Sequence, residues 1–201
     1  LPIYPTTYTS LSDAESTGAP NNHDTFCPGP ALTPTGDLVL AGGGLGTESA
    51  SSVFYWGAQE WEREEDMNEP HYYGTSVMMA DGNIFHALGS AVAANDYTED
   101  QSNTPEVWNG QTWEQLTGLD MTPLHAEHGF YNSNYYPYLH LMPNSNLFHS
   151  GGVPTMHEID PNQQSIFNQG IRAGNDSYRH WGNALMIDEG ILFISGGRDD
   201  A

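Results

Sequence analysis

Among the 201 residues, the side chains able to do redox or metal chemistry are one thiol, Cys27, and a set of phenols and imidazoles spaced at intervals along the chain. A lone cysteine excludes an internal disulfide framework. A thiol on an apolar strand is ordinarily a small buried hydrophobe, so its interest depends on what the fold sets beside it. His125-Ala126-Glu127-His128 offers two imidazoles and a carboxylate within four residues, a pattern suited to zinc or copper, but Pro123 before it and Gly129 after it place it in a loop. Asp96 through Asp100 could hold calcium weakly and reads better as an inter-blade loop.

The elements that must position these groups emerge from an internal repeat. Four segments share an aromatic or polar lead, an apolar strand, a tight turn, a second strand and a pair of small residues. Their turns are Thr35-Gly36-Asp37, Ala80-Asp81-Gly82-Asn83, Pro143-Asn144-Ser145-Asn146 and Asp188-Glu189-Gly190, each with a residue able to take positive φ. The small pairs begin at 42, 88, 151 and 196, steps of 46, 63 and 45 residues, which suit a four-stranded propeller blade with a variable loop. Second hairpins follow at Ser52–Trp61, Pro105–Trp113 and Met156–Phe167, the first two carrying tryptophans (Trp56 and Trp61, Trp108 and Trp113) expected to wedge between blades. The expected fold is an all-β, kelch-type propeller with about three and a half blades, beginning near residues 23, 71, 135 and 179, behind a lead-in at 1–22. Such a count does not close a ring. The expectation is therefore a propeller domain over 23–201 that forms part of a larger, seven-bladed wheel, with a ring-closing homodimer less favoured.

Composition narrows the partners. Against 26 acidic residues stand 4 arginines and no lysine, a formal charge of −22, which disfavours nucleic acid and anionic membrane surfaces. No apolar run reaches the length needed to span a bilayer. The acidic run Glu60–Asp66 reads as a solvated blade edge.

In a propeller the innermost strands line one channel, so equivalent positions in successive blades become neighbours. Counting 15 residues back from the small pairs lands on Cys27, Tyr73, Tyr136 and Trp181, with Tyr135 and His180 one position away. Tyr136 and Trp181 read as channel walls rather than ligands.

The phrases His23-Asp24-Thr25-Phe26-Cys27-Pro28-Gly29, Met67 through Tyr73-Gly74-Thr75 to Asp81-Gly82, and Tyr136-Pro137-Tyr138-Leu139-His140-Leu141-Met142-Pro143 resemble those of the copper radical oxidases that include galactose oxidase and glyoxal oxidase. The resemblance covers roughly residues 20 to 200. It implies a thioether between Cys27 and Tyr73, with Tyr73 as a copper ligand and the joined pair as a protein-derived radical cofactor. It further implies oxidation of a small primary alcohol, aldehyde or carbohydrate by dioxygen with release of hydrogen peroxide, in an extracellular setting. Two departures stand out. No Tyr-His pair occurs in the sequence, so the remaining ligands are expected from further blades and a C-terminal domain, and Ala91 stands where galactose oxidase has a stacking tryptophan. The competing reading is a non-catalytic kelch-type propeller that binds glycans or partner proteins.

Overall fold

A computed structural model describes residues 23–44, 46–91, 102–124, 135–173 and 178–198. The lead-in at 1–22, the His125/His128 loop and the Asp96–Asp100 segment lie outside these residues. No helix among the described residues is long and apolar enough to cross a membrane.

Each small residue pair and hairpin turn forms where the repeat requires it, giving three four-stranded antiparallel sheets and one hairpin. The first sheet contains β1 (Gly29–Leu32), β2 (Leu38–Ala41), β3 (Ser51–Tyr55) and β4 (Glu60–Arg63) in sequence order. The second contains β5 (Thr75–Met78), β6 (Ile84–Ala87), β7 (Glu106–Trp108) and β8 (Trp113–Gln115). The third contains β9 (Leu139–Leu141), β10 (Leu147–His149), β11 (Thr155–Asp160) and β12 (Ser165–Ile171), and the hairpin pairs β13 (His180–Asp188) with β14 (Ile191–Arg198). The inner strands stand side by side, with β5 against both β1 and β9. The arrangement is that of successive blades of a kelch-like propeller.

Sheets stack on the second blade because its strand β6 is covered on both faces. β6 illustrates this: Ile84, Phe85, His86 and Ala87 are all buried, as expected of a strand covered on two sides. Ile84 joins Val39, Ala41, Val53, Met67, Trp108 and Trp113 between the first two blades. Phe85 joins Leu88, Leu119, Met121, Leu124, Leu139, Leu147 and Ile159 between the second and third. Burying a side chain of this size contributes about 1.5–3 kcal/mol, so the two layers hold the inner strands at a defined spacing.

The tryptophans divide. Trp113 is 6 % exposed and its indole N–H donates to Ser51 Oγ at 3.0 Å, a wedge between blades. Trp56 is not a wedge: it sits in the turn between β3 and β4 and is 55 % exposed, because the strand ends one residue earlier. Trp61 packs on Phe54 of its own blade, ring centroids 5.2 Å apart. In β4, Glu60 and Glu62 face solvent. On the hairpin, Trp181, Leu185, Ile187, Ile191 and Phe193 are exposed.

The glycine pairs have a steric reason. Gly42 has φ 72°, and a Cβ on it would lie 2.0 Å from the His71 carbonyl oxygen. Gly89 has φ 85°, and its Cβ would lie 2.4 Å from the Tyr72 carbonyl oxygen. At both points the chain leading into β5 passes directly over the end of a second strand.

Candidate redox centre at the ring of inner strands

Four residues at the head of the inner strands have left-handed backbones although none is glycine: Cys27 (φ 64°), Tyr73 (φ 64°), Tyr136 (φ 48°) and Trp181 (φ 61°). Such a conformation costs a bulky residue about 1–2 kcal/mol, and its recurrence in four blades marks one structural slot repeated around the wheel. The slots are coupled. The Tyr73 N–H donates to the Cys27 carbonyl at 3.3 Å, and the Tyr136 N–H donates to the Tyr73 carbonyl at 2.7 Å. The backbone thus steps from blade to blade through the candidate residues themselves.

Their side chains converge. The Tyr73 ring lies 4.1 Å from Tyr72, 4.7 Å from Tyr135, 5.3 Å from Tyr136 and 6.1 Å from Trp181, between centroids. Tyr135 and Trp181 are 6.3 Å apart. Cys27 is a half-buried free thiol in the slot one blade before Tyr73, whose N–H donates to the Cys27 carbonyl. Burial pushes the Tyr73 phenol well above the ordinary tyrosine value, and hydrogen bonding to Cys27 and Tyr72 pushes it further. Tyr136 rises for the same first reason, followed by the charge and hydrogen bonding of Cys27. Both phenols are therefore held protonated, and only a nearby cation would ionise them near neutral pH.

Around this centre the approaches to the Cys27 and Tyr73 slots are fixed by polar contacts. Asp24 Oδ1 accepts from the Phe26 N–H at 3.0 Å, bending the chain just before Cys27. His23 Nε2 donates to the Gly42 carbonyl at 2.6 Å. Ahead of Tyr73, His71 Nδ1 donates to the Leu88 carbonyl at 2.8 Å, and its Nε2 lies 3.7 Å from Glu106 Oε1. Glu106 is 0 % exposed and accepts from the Asn68 N–H (2.8 Å), Asn68 Nδ2 (2.7 Å) and the Glu69 N–H (2.7 Å). Burial acts to raise this carboxyl's pKa, and the His71 ring beside it together with hydrogen bonds from Asn68 and Glu69 outweighs that, so Glu106 is held below its usual range. A buried carboxylate thus pins the loop from Asn68 to His71 that delivers Tyr73.

The structure brings Cys27, Tyr73, Tyr136 and Trp181 together. His180 begins β13 and stacks on Tyr178 with centroids 5.6 Å apart. Among the described residues no group of three or more His, Cys, Asp or Glu could hold a metal ion. Sequence reasoning missed Tyr72 and Glu106. The doubled Tyr72-Tyr73 was a visible signal for the first; a lone Glu in an apolar strand was none for the second.

No protein-family model matches the chain. A galactose oxidase of Gibberella zeae is 25 % identical over 186 residues, covering 89 % of this chain and 27 % of the relative. An aldehyde oxidase, GLOX, of Vitis pseudoreticulata is 23 % identical over 171 residues, covering 82 % of this chain and 30 % of the relative. Among solved structures, a fungal alcohol oxidase of the AA5 family in complex with copper superposes with a TM-score of 0.76 at 27 % identity, covering 88 % of this chain and 36 % of that one. The chain therefore spans under a third of the length of these curated relatives.

Proposed function

We propose that this chain, which is similar in sequence to a galactose oxidase and an aldehyde oxidase and in fold to a copper-bound fungal alcohol oxidase, supplies the radical-bearing part of a copper oxidase acting on a small primary alcohol, aldehyde or carbohydrate. The observation that supports this reading is the placing of the one thiol and of Tyr73 in equivalent, left-handed slots of adjacent blades, joined by the Tyr73 N–H to Cys27 carbonyl bond.

The residues suit copper in one respect that their chemistry decides. Tyr73 is an oxygen donor whose proton is retained by burial, and a divalent cation is what would release it. Tyr73 would hold the metal; Tyr136 is the next phenol in reach, and further ligands are expected outside the described residues. Copper, when bound, supplies a Lewis acid and a one-electron acceptor.

The protein's own residues do the rest. In maturation the Cys27 S–H and a Tyr73 ring C–H break and an S–C bond forms; the two electrons and two protons go to dioxygen, giving hydrogen peroxide. The sulfur then shares spin density with the ring and makes its one-electron oxidation easier. In turnover the Tyr73 oxygen takes a hydrogen atom from the substrate carbon. Overall, the alcohol loses two electrons and two protons, and dioxygen gains them. Tyr135 and Trp181 pack beside the ring. We place the working protein outside the cell, as a secreted oxidase, with the missing blades and a C-terminal domain completing it.

Intact mass of the full-length protein before and after aerobic copper loading tests this. The expected product is lighter by two hydrogens and no longer alkylated at Cys27, and Cys27→Ser abolishes the change. An unchanged mass with Cys27 still reactive rejects the reading in favour of a binding propeller.

A further inference from the structure

Between the third blade and the β13–β14 hairpin lies a cleft of about 520 Å³ that the oxidase reading leaves unused. Phe148 and Met156 on the blade side and Leu192 and Ile194 on the hairpin side give it apolar walls. Arg172, Arg179 and Ser150 supply its polar side chains. The protein has 4 arginines and no lysine against 26 acidic residues, so two arginines meeting at one apolar cleft concentrate positive charge in a molecule otherwise starved of it. Apolar walls of low dielectric focus such a field. Among the described residues no Asp or Glu lines the cleft. Glu158, opposite Phe148 on the same face of the third blade, accepts from Asn144 Nδ2 at 2.8 Å, Asn146 Nδ2 at 2.7 Å and Gln169 Nε2 at 3.2 Å.

The polar groups are held in place by backbone. Arg172 is 8 % exposed, and its Nη1 donates to the Ser150 carbonyl at 2.8 Å and to the Val153 carbonyl. A Cβ on Gly151 would lie 2.7 Å from that Nη1, so the small pair makes room for the guanidinium. The Arg179 N–H donates to the Gly152 carbonyl at 2.8 Å, the Arg179 carbonyl accepts from the Tyr138 hydroxyl at 2.6 Å, and Arg179 Nη1 donates to the Gly196 carbonyl at 2.9 Å. Ser150 is 0 % exposed and its hydroxyl has no hydrogen-bond partner. A buried hydroxyl left unmatched is costly, and an acceptor in the cleft would remove that cost.

We propose that this cleft is a second small-molecule site, which binds an organic carboxylate with its charged end toward Arg172, Arg179 and Ser150 and its apolar body between Phe148, Met156, Leu192 and Ile194. Guanidinium groups suit carboxylate oxygens in shape and charge. A phosphate dianion would bring a second charge against walls that cannot replace its hydration, whereas a monoanion with an apolar body matches both parts of the lining. The site is independent of the oxidase reading, since none of its residues belongs to the Cys27–Tyr73 centre.

The test is calorimetric titration of the full-length protein, with and without copper, using phenylacetate and its neutral counterpart phenylacetamide. Phenylacetate is expected to bind equally in both forms of the protein, and phenylacetamide about tenfold more weakly. Arg179→Gln is expected to weaken phenylacetate about tenfold and Ser150→Ala about fivefold. Leu192→Trp, which fills the cleft from the hairpin side, is expected to abolish binding, and it serves if Arg179→Gln does not fold.

Equal affinity for acid and amide overturns the inference, as does the absence of phenylacetate binding. Binding that needs copper overturns it too, because the carboxylate would then be a ligand of the metal. So does binding that survives both Arg179→Gln and Leu192→Trp unchanged. None of these outcomes alters the two-hydrogen mass change, so the oxidase reading stands or falls separately.

Discussion

The Tyr136 N–H donates to the Tyr73 carbonyl at 2.7 Å, joining two residues 63 positions apart through the backbone of the slots they occupy. Side-chain chemistry at the hub is therefore positioned by main-chain bonds between blades, and anything that separates two blades disturbs the centre. The predictions below test this coupling and the strain that accompanies it.

Removing the Glu106 carboxylate frees the loop ahead of Tyr73. Three donors and the His71 ring would lose their common acceptor in a buried place. Glu106→Ala is expected to destabilise by about 3–5 kcal/mol, read as a fall in the urea midpoint at unchanged slope.

Two glycine substitutions separate strain from collision. Gly36 has φ 88° and open space around it, so Gly36→Ala is expected to cost about 1 kcal/mol, from backbone strain alone. Gly42 adds a clash with the His71 carbonyl 2.0 Å away, and Gly42→Ala is expected to cost at least about 3 kcal/mol. Parallel thermal melts of the two variants check the difference.

Ser145 offers the opposite test. It turns the β9–β10 hairpin with φ 68° and is exposed. Ser145→Gly relieves the strain, and a gain of about 0.5–1 kcal/mol is expected, seen as a melting temperature a few degrees higher.

Acid stability is set in part by His149. It is fully buried, neither ring nitrogen has a hydrogen-bond partner, and its pKa is lowered to about 3, first by burial and then by the charges of His157, Arg172 and His140. The unfolded chain takes up a proton near pH 6.5 that the folded protein refuses. Stability is therefore complete above pH 6.5 and declines as the pH falls from there toward 3, with about 2 kcal/mol gone by pH 5. His86, buried beside His71, has a lowered pKa for the same first reason and acts in the same direction. Urea midpoints from pH 4 to 8 are expected to slope upward, and His149→Leu to flatten the slope.

The blades were legible in the sequence because their signals are local. Asp81-Gly82-Asn83 and Pro143-Asn144-Ser145-Asn146 state their turns within a few residues, and the small pairs record where neighbouring backbone passes. A count of 15 residues then reached four positions that share one backbone conformation. What stayed hidden depends on the distance between blades. The Tyr136 and Tyr135 rings against Tyr73 and the Glu106–His71 contact all join residues far apart in the chain. Trp56 misled because it looks like the counterpart of Trp108, while the register sets Phe54 opposite Leu38 as Trp108 is set opposite Ile84, and leaves Trp56 exposed in the turn.

The four left-handed turns have one more consequence. They already carry a thiol, a phenol, a second phenol and an indole on a single backbone shape, which makes them interchangeable sockets. Exchanging side chains among them could rotate a reactive pair around the wheel by one spoke without redesigning the scaffold, so the hub is a natural place for new chemistries to arise by point substitution.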